Sequence, residues 1–451
     1  MIARQRHSIL VRSEICTLLR LSIPIILAQL AQSSMAFVDT VMAGQVGATD
    51  LAAVALGSSI WFPLSLFQLG LLSALTPIVA QAHGGNNPAT IRHTTPQGIY
   101  LGLISGVVIM LLLQHADIIL PLLHTQAELI PLVHAYLHGT AWGFPAVGIC
   151  FALRYCSEGL SLTRPGMIVS FSGLATNIIA NYTLVFGKFG FPALGGPGCG
   201  VATAVTMWMM MLVMVIFYWK GSVYRKLRLL HYAPLSAATQ KQLLKLGLPI
   251  GAGLFIECSI FALIALLLSR FGAQTVAAHQ IALSFTSMTF MIPLSISSAI
   301  AVRVGHTIGR RRPSQTRRAV RVGIATTFTL ALVSCATMAL FPHRCVAIFS
   351  HDPQLRNAAA SLLTLAAIFQ VPDAMQVSCA GALRGCKDTR IPMLIQTIAY
   401  WGIGLPCGYY LGLYLNWGAR GFWIGLICGL SAAAIMLLLR LRRVLAHIAR
   451  S

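Results

Sequence analysis

Residues 18–25 read Leu-Leu-Arg-Leu-Ser-Ile-Pro-Ile, and residues 243–250 read Leu-Leu-Lys-Leu-Gly-Leu-Pro-Ile. The offset of 225 residues persists outward from this pair: Gly47-Ala48 and Ala52-Ala53 recur as Gly272-Ala273 and Ala277-Ala278, and Ser73-Ala74, Val79 and Gly84 recur as Ser298-Ala299, Val304 and Gly309. Further along, Thr163-Arg164 and Met167 recur as Thr389-Arg390 and Met393 at offset 226, and Gly195 and Gly198 recur as Gly418 and Gly421 at offset 223. An offset of about half the chain, held over several segments, marks an internal duplication.

What is duplicated is apolar. Of the 451 residues 57% are hydrophobic and only 9% charged, with mean hydropathy +0.78. A soluble chain carries about a quarter charged residues, so much of this one must be solvated by lipid. The runs are unbroken and of helix length, unlike the short alternating strands of an outer-membrane barrel. Twelve spans are expected, at about 16–40, 51–80, 96–116, 128–150, 164–187, 196–219, 243–268, 276–303, 319–341, 355–382, 390–413 and 420–440. The fold class is therefore an all-α polytopic membrane protein. Six helices per repeat is an even number, so the two lobes share one orientation and form a parallel pseudo-symmetric pair, with a substrate site expected between them. The expected domains are an N-terminal lobe 1–219, a basic, polar inter-lobe linker 220–242 and a C-terminal lobe 243–451.

The formal net charge of +22 follows the same plan. Twenty-seven of the 32 Lys and Arg residues fall in the two termini and the even-numbered loops between the predicted spans. The positive-inside rule then places both termini and those loops in the cytoplasm. Basic residues spread over seven segments between apolar helices are not a nucleic-acid footprint. The first twenty residues and the apolar run after them have the outline of a signal peptide, but the repeat makes this run the partner of an internal helix, so it is read as retained. The eleven cysteines show no metal-ligand spacing and no disulfide framework.

Ten acidic residues exist in the whole chain. Glu14, Asp50, Asp117, Glu128, Glu158, Asp352 and Asp388 fall at predicted span ends or in loops; Asp39, Glu257 and Asp373 fall within spans. A charged side chain at the bilayer centre costs about 2.5–3.5 kcal/mol even on the lenient insertion scale, so each of the three should face the bundle interior or a cavity. The basic residues lie mostly in loops, which leaves protons, metal cations or a cationic substrate as partners. Simple hydrogen bonding of a protonated carboxyl to a neighbouring helix is the competing structural reading. Asn177 and Asn181 stand one helical turn apart and share a face, where amide oxygens can assist a carboxylate or bond between helices. Gln68, His279 and Gln280 are further polar residues in apolar surroundings. The Met residues and aromatics, Phe285 among them, fit an adaptable drug-lined cavity as readily as ordinary helix packing.

The stretches MAFVDTVMAGQVGATDLAAVALG (35–57), NIIANY (177–182), SEGLSLTRPGM (157–167), VAAHQIALSF (276–285) and ALRGCKDTRIPM (382–393) resemble the multidrug and toxic compound extrusion (MATE) family, in its NorM-like branch. The resemblance runs from about Leu18 to Arg440. It implies a monomeric exporter in the bacterial cytoplasmic membrane. Such an exporter exchanges Na+ or H+ for cationic drugs and dyes by rocker-switch alternating access, and carries no tightly bound cofactor. It implies a cation-coupling site at Glu257 and Asp373, which would ligate Na+ where that is the coupling ion. It also implies a second polar cluster at Asp39, Asn177 and Asn181. Gln280, Gln68 and Phe285 are the expected substrate contacts. The chain departs from relatives at Pro372, before Asp373, and at Asn181, where another branch carries Asp. A lipid-linked precursor flippase of the same superfamily is the alternative, and it calls for arginines inside the spans. An intramembrane enzyme is excluded by the lack of HExxH, GxSxG or paired acids on one helix.

Overall fold

The computed structural model describes residues 2–116, 128–347 and 352–450. Asp117, one of the ten acids, lies outside them. The described residues form seventeen α-helices and no strand. The first repeat contributes α1 (Ile2–Val46), α2 (Ala48–Leu72), α3 (Leu75–Gly84), α4 (Pro88–Gln114), α5 (Ile130–Ala141), α6 (Phe144–Gly159), α7 (Arg164–Phe186) and α8 (Gly196–Lys220). A short α9 (Ser222–Leu227) precedes α10 (Ala237–Leu268), α11 (Ala273–Gly309), α12 (Pro313–Leu340), α13 (Pro342–Ala347) and α14 (Pro353–Gly385). Then come α15 (Arg390–Thr397), α16 (Leu405–Tyr409) and α17 (Ala419–Ile448).

Among the described residues ten helical segments are long and apolar enough to cross a bilayer, one of them, Ala48–Gly84, being α2 continued by α3. The other two of the twelve spans are more broken. The fourth is α5 plus α6, hinged at Trp142 and Gly143. The eleventh is α15 and α16 with π-helical turns at Ile398–Gly404 and Tyr410–Tyr414. Helix is the dictated choice here, because hydrocarbon offers no partner to a free N–H or C=O.

The duplication read from sequence is present in the backbone. Gly195 before α8 sits at φ 60, ψ −141, and Gly418 before α17 at φ 58, ψ −137. Ser161 and Lys387 are both left-handed, at φ 63 and 62. The turns they occupy close with the same bonds: Ser161 N–H donates to Glu158 O at 2.8 Å and Lys387 N–H to Arg384 O at 2.9 Å. One interhelical approach is also repeated. A Cβ on Gly159 would stand 2.8 Å from Val79 Cβ, and a Cβ on Gly385 would stand 2.8 Å from Val304 Cβ. Two β-branched side chains thus lie on two glycines at matching places in the repeats.

Contacts gather the chain into two compact units, Pro24–Gly251 and Met1–Ile23 with Ala252–Ser451. The division falls inside α1 and α10, at Pro24 and two residues after Pro249, the repeat-related prolines of those helices. Proline removes one intrahelical bond and loosens the turn before it, which lets each half of the helix follow a different neighbour. In the second of these units Glu14 of α1 makes a two-pronged ion pair with Arg303 of α11, at 2.8 and 2.9 Å. In the Pro24–Gly251 unit the segment before α10 is bound to α4. Gln97 donates to Pro234 O at 2.8 Å and accepts from Ser236 N–H at 2.9 Å, and Tyr100 donates to Ala233 O at 2.8 Å.

Gly159→Ala and Gly385→Ala should each lower the thermal unfolding midpoint of the purified protein, in keeping with an overpacking cost of about 1–3 kcal/mol. Gly44→Ala, whose new methyl would meet only Leu51 Cδ2 at 3.8 Å, should leave it unchanged. Equal midpoints for all three would remove the close approach.

Candidate functional site

Two polar clusters lie within the apolar helices, one in each compact unit. The first is built on Asp39, buried on α1. Its carboxylate accepts from Asn181 Nδ2 at 2.6 Å and Asn177 Nδ2 at 3.0 Å, both on Oδ1, and from Thr203 Oγ1 at 3.4 Å on Oδ2. The 177/181 spacing presents both amides to one neighbour because residues four apart stack on one helix face. The start of α8 comes close enough for Cys199 Sγ to reach Asp39 O at 3.8 Å. Tyr136 of α5 lies within electrostatic reach of Asp39, and its hydroxyl accepts from Trp61 Nε1 at 3.0 Å. The carboxamide oxygens of Asn177 and Asn181 are buried and have no hydrogen-bond partner. Amide and carboxylate oxygens are hard donors, so the chemistry of this cluster is compatible with a hard cation or with a proton on Asp39.

The second cluster is built on Asp373, buried on α14, and Glu257, half-buried on α10. The two carboxyls lie within electrostatic reach of each other and of Tyr400. Tyr400 is held by Gln376, one turn beyond Asp373 on α14, whose Nε2 donates to the phenol oxygen at 2.9 Å. Gly253 sets the approach of α10, since a Cβ there would stand 3.0 Å from Gln396 Oε1. Glu257 and Tyr400 lie one turn further along their respective helices. Tyr400 belongs to the π-helical turn Ile398–Gly404, a geometry often found where a helix serves a site. Among the described residues no group of three or more His, Cys, Asp or Glu side chains has metal-holding geometry. Any cation here would be held by two carboxylates with neutral oxygens, which suits an alkali ion better than a transition metal.

The structure thus joins Asp39, Asn177 and Asn181 by direct hydrogen bonds and brings Glu257 within electrostatic reach of Asp373. The expected substrate contacts are scattered. Gln68 is fully buried on α2, donating to Ser105 Oγ at 3.2 Å and Gly102 O at 3.4 Å, away from Asp39's partners. Gln280 is exposed on α11, and Phe285 packs against the apolar core around Trp423. His279 is fully buried, its ring edge-on to Trp423 at 5.8 Å. Neither of its ring nitrogens has a hydrogen-bond partner.

One expectation needs correction, that buried basic partners are lacking. Glu158 lies at a helix end as expected, but it is buried in the last turn of α6 and paired with Arg154 Nε at 3.0 Å. Arg154 is likewise inside α6, because that helix runs nine residues past the expected span end at 150. A buried basic partner therefore does exist, and an i,i+4 pair of opposite charges can enter apolar surroundings together where either alone would not. Thr203, Tyr136, Gln376 and Tyr400 were not singled out from sequence. The available signal was their polarity within otherwise apolar helical runs.

With the geometry described, the chain can be compared with known proteins. The family model described as MatE matches it twice, over residues 24–183 and 249–410, starts that differ by the repeat offset of 225. The chain is 46% identical over 443 residues to multidrug resistance protein PmpM of Pseudomonas aeruginosa, covering 96% of this chain and 92% of that one. It is 44% identical over 441 residues to the probable multidrug resistance protein NorM of Shewanella oneidensis, covering 95% of each. Among solved structures it is similar to a multidrug resistance MATE transporter in an outward-facing conformation, with TM-score 0.89 over 98% of each chain at 21% identity. It is also similar to the eukaryotic MATE transporter AtDTX14, with TM-score 0.87 over 97% of this chain and all of that one at 22% identity.

Asn181→Ala should destabilise the purified protein more than Thr203→Ala, by about 1–3 kcal/mol against less than 1, because the amide bond to Asp39 is short and the hydroxyl bond long. Thermal unfolding of the two variants gives the comparison, and equal losses would show that Asp39 does not depend on its short amide bond.

Proposed function

Starting from the fact that this chain belongs to the MatE family and is a multidrug efflux transporter rather than an enzyme, we propose that it is an antiporter that exports cationic organic compounds in exchange for Na+ or H+. The observation that carries this reading is the pair Glu257 and Asp373, with Tyr400 beside them in an apolar interior. Two carboxyls within electrostatic reach of each other in low dielectric repel when both are ionised, so a cation or a proton at either changes their energy strongly. Na+, H+ and an organic cation are alternative ways of meeting that need. If each ligand favours a different conformation, binding of one drives release of the other, whereas a ligand with equal affinity for both conformations moves nothing.

Asp39 with Asn177, Asn181 and Thr203 is proposed as a second cation-responsive cluster. Gln280, Gln68 and Phe285 remain the proposed substrate contacts. Lobes 1–219 and 243–451, joined by the linker 220–242, would alternate access to the two sides of a bacterial cytoplasmic membrane, with both termini inside. The working unit is proposed to be a monomer in the lipid bilayer, with no bound cofactor and no nucleic-acid partner. A lipid-linked precursor flippase is the weaker reading, because a pyrophosphate headgroup needs free buried cations. Arg154 is already paired with Glu158, and Arg384 donates to Ser297 Oγ at 3.0 Å.

Glu257→Gln and Asp373→Asn should insert normally in the membrane but export a fluorescent cationic dye at under about one tenth of the wild-type rate. Proteoliposomes carrying a Na+ gradient and a pH gradient in turn would identify the coupling ion. Wild-type dye movement under neither gradient, or full movement in both variants, would defeat the antiport reading.

A further inference from the structure

The turn between α11 and α12 carries charge that its backbone does not call for. It reads Gly309-Arg310-Arg311-Arg312-Pro313, where the first repeat has Gly84-Gly85-Asn86-Asn87-Pro88 between α3 and α4. The two backbones coincide. Asn86 and Arg311 are left-handed at φ 50 and 54. Asn87 and Arg312 stand before the following helix at φ −110, ψ 81 and φ −117, ψ 80. Asn87 N–H donates to Ala82 O at 2.8 Å, and Arg312 N–H donates to Thr307 O at 3.1 Å.

Asparagine is the better residue for both places. It tolerates the left-handed region more readily than arginine does. At the second place Asn87 Oδ1 accepts from Thr90 N–H at 3.1 Å and caps α4, whereas Arg312 gives α12 no side-chain cap. Arginine at these positions therefore works against the turn, and what it adds is charge. The charge continues into α12 with Arg317, Arg318 and Arg321, whereas the matching stretch 85–96 of the first repeat holds Arg92 alone.

Among the described residues this charge is not neutralised by ion pairs. Arg310, Arg311, Arg312, Arg317 and Arg321 are exposed and Arg318 is half-buried. Glu14 and Asp388, in the same compact unit, are already held by Arg303 at 2.8 Å and Arg440 at 2.7 Å. None of the six arginines takes part in the ion pairs of the described residues. The cluster lies around the turn between two helices long and apolar enough to cross a bilayer, Gln274–Gly309 and Pro313–Leu340. A guanidinium donates two parallel bonds to a phosphate and is less strongly hydrated than an ammonium. Basic clusters of this size beside a membrane helix attract anionic lipid, and the attraction fades within a Debye length.

We propose that Arg310, Arg311, Arg312, Arg317, Arg318 and Arg321 form a binding surface for the phosphodiester headgroups of anionic phospholipids in the adjoining leaflet.

The test transplants the first repeat's own turn. The triple variant R310G/R311N/R312N keeps the backbone conformation and retains Arg317, Arg318 and Arg321 as flanking topology signals. Full-length protein would be placed in nanodiscs of phosphatidylcholine with a minor fraction of phosphatidylglycerol, and enrichment of each lipid at the protein read by quenching from brominated chains. The wild type is expected to enrich phosphatidylglycerol and to lose the enrichment as NaCl is raised. The triple variant is expected to unfold no earlier and to bind that lipid roughly tenfold more weakly. The pair R317Q/R321Q leaves the turn untouched and should weaken binding in the same direction. Undiminished enrichment in both variants would overturn the proposal. So would inorganic phosphate binding to the wild type in pure phosphatidylcholine with the same loss in the triple variant, which would assign the surface to a soluble anion.

Discussion

A helix in hydrocarbon can break only where something other than water completes its backbone bonds, and the rest of the architecture follows from that constraint. Each break in this chain has its substitute partners. Between α2 and α3, Thr76 N–H donates to Ser73 O at 3.1 Å and Ser73 Oγ to Gly70 O at 2.7 Å. Between α5 and α6, Gly143 N–H donates to Thr140 O at 3.0 Å, and the carbonyl of Trp142 accepts from Trp208 Nε1 at 3.0 Å. Along the π-helical turns beside α16, Gly408 and Gly412 pack on Phe422 of α17, and Gly404 packs on Gly425 and Gly429. The wider π turn shifts the side chains that follow it, and Tyr400 lies within the first such turn.

The same constraint governs side chains. Asp39 is surrounded by donors from α7 and α8, and Glu158 is neutralised by Arg154 one turn before it. Glu257 and Asp373 differ from these, for neither has a hydrogen bond or ion pair of that kind among the described residues, although Arg384 lies within electrostatic reach of Glu257. Carboxyls in an apolar interior are costly unless a proton or a cation accompanies them.

The spans, the duplication and the three intramembrane acids were legible because each rests on local composition or on a register that survives in the residues themselves. Proline and glycine at 24, 249, 195 and 418 could be matched by eye: both prolines fall inside helices and the two glycines agree in backbone conformation. The hinge in the fourth span was not legible. Gly143 and Pro145 are tolerated in membrane helices often enough that their presence does not say whether the helix bends. The Arg154–Glu158 pair was hidden for a related reason: the helix end was set by hydropathy, and a paired charge extends a helix past the point where hydropathy fails. Tyr400 could not be found at all, because its place beside Asp373 depends on the π turn and on Gln376 of another helix.

The repeats share a scaffold but not their chemistry, and the differences are systematic. At the repeat-related positions Asp39 corresponds to Ile264, Asn177 to Ile403 and Asn181 to Cys407, while Asp373 corresponds to Val147 and Glu257 to Gln32. Each polar cluster is therefore matched by apolar or neutral residues in the other half, so the clusters occupy different positions on a shared plan in which α10 is the repeat partner of α1. The cluster on α1, α7 and α8 surrounds one acid with neutral donors. The cluster on α10, α14 and α15's π-helical continuation brings two acids within electrostatic reach of each other, so it carries a repulsion between ionised carboxylates that the first does not. Under the proposed antiport reading, such unequal clusters would give the two halves different responses to the same ion.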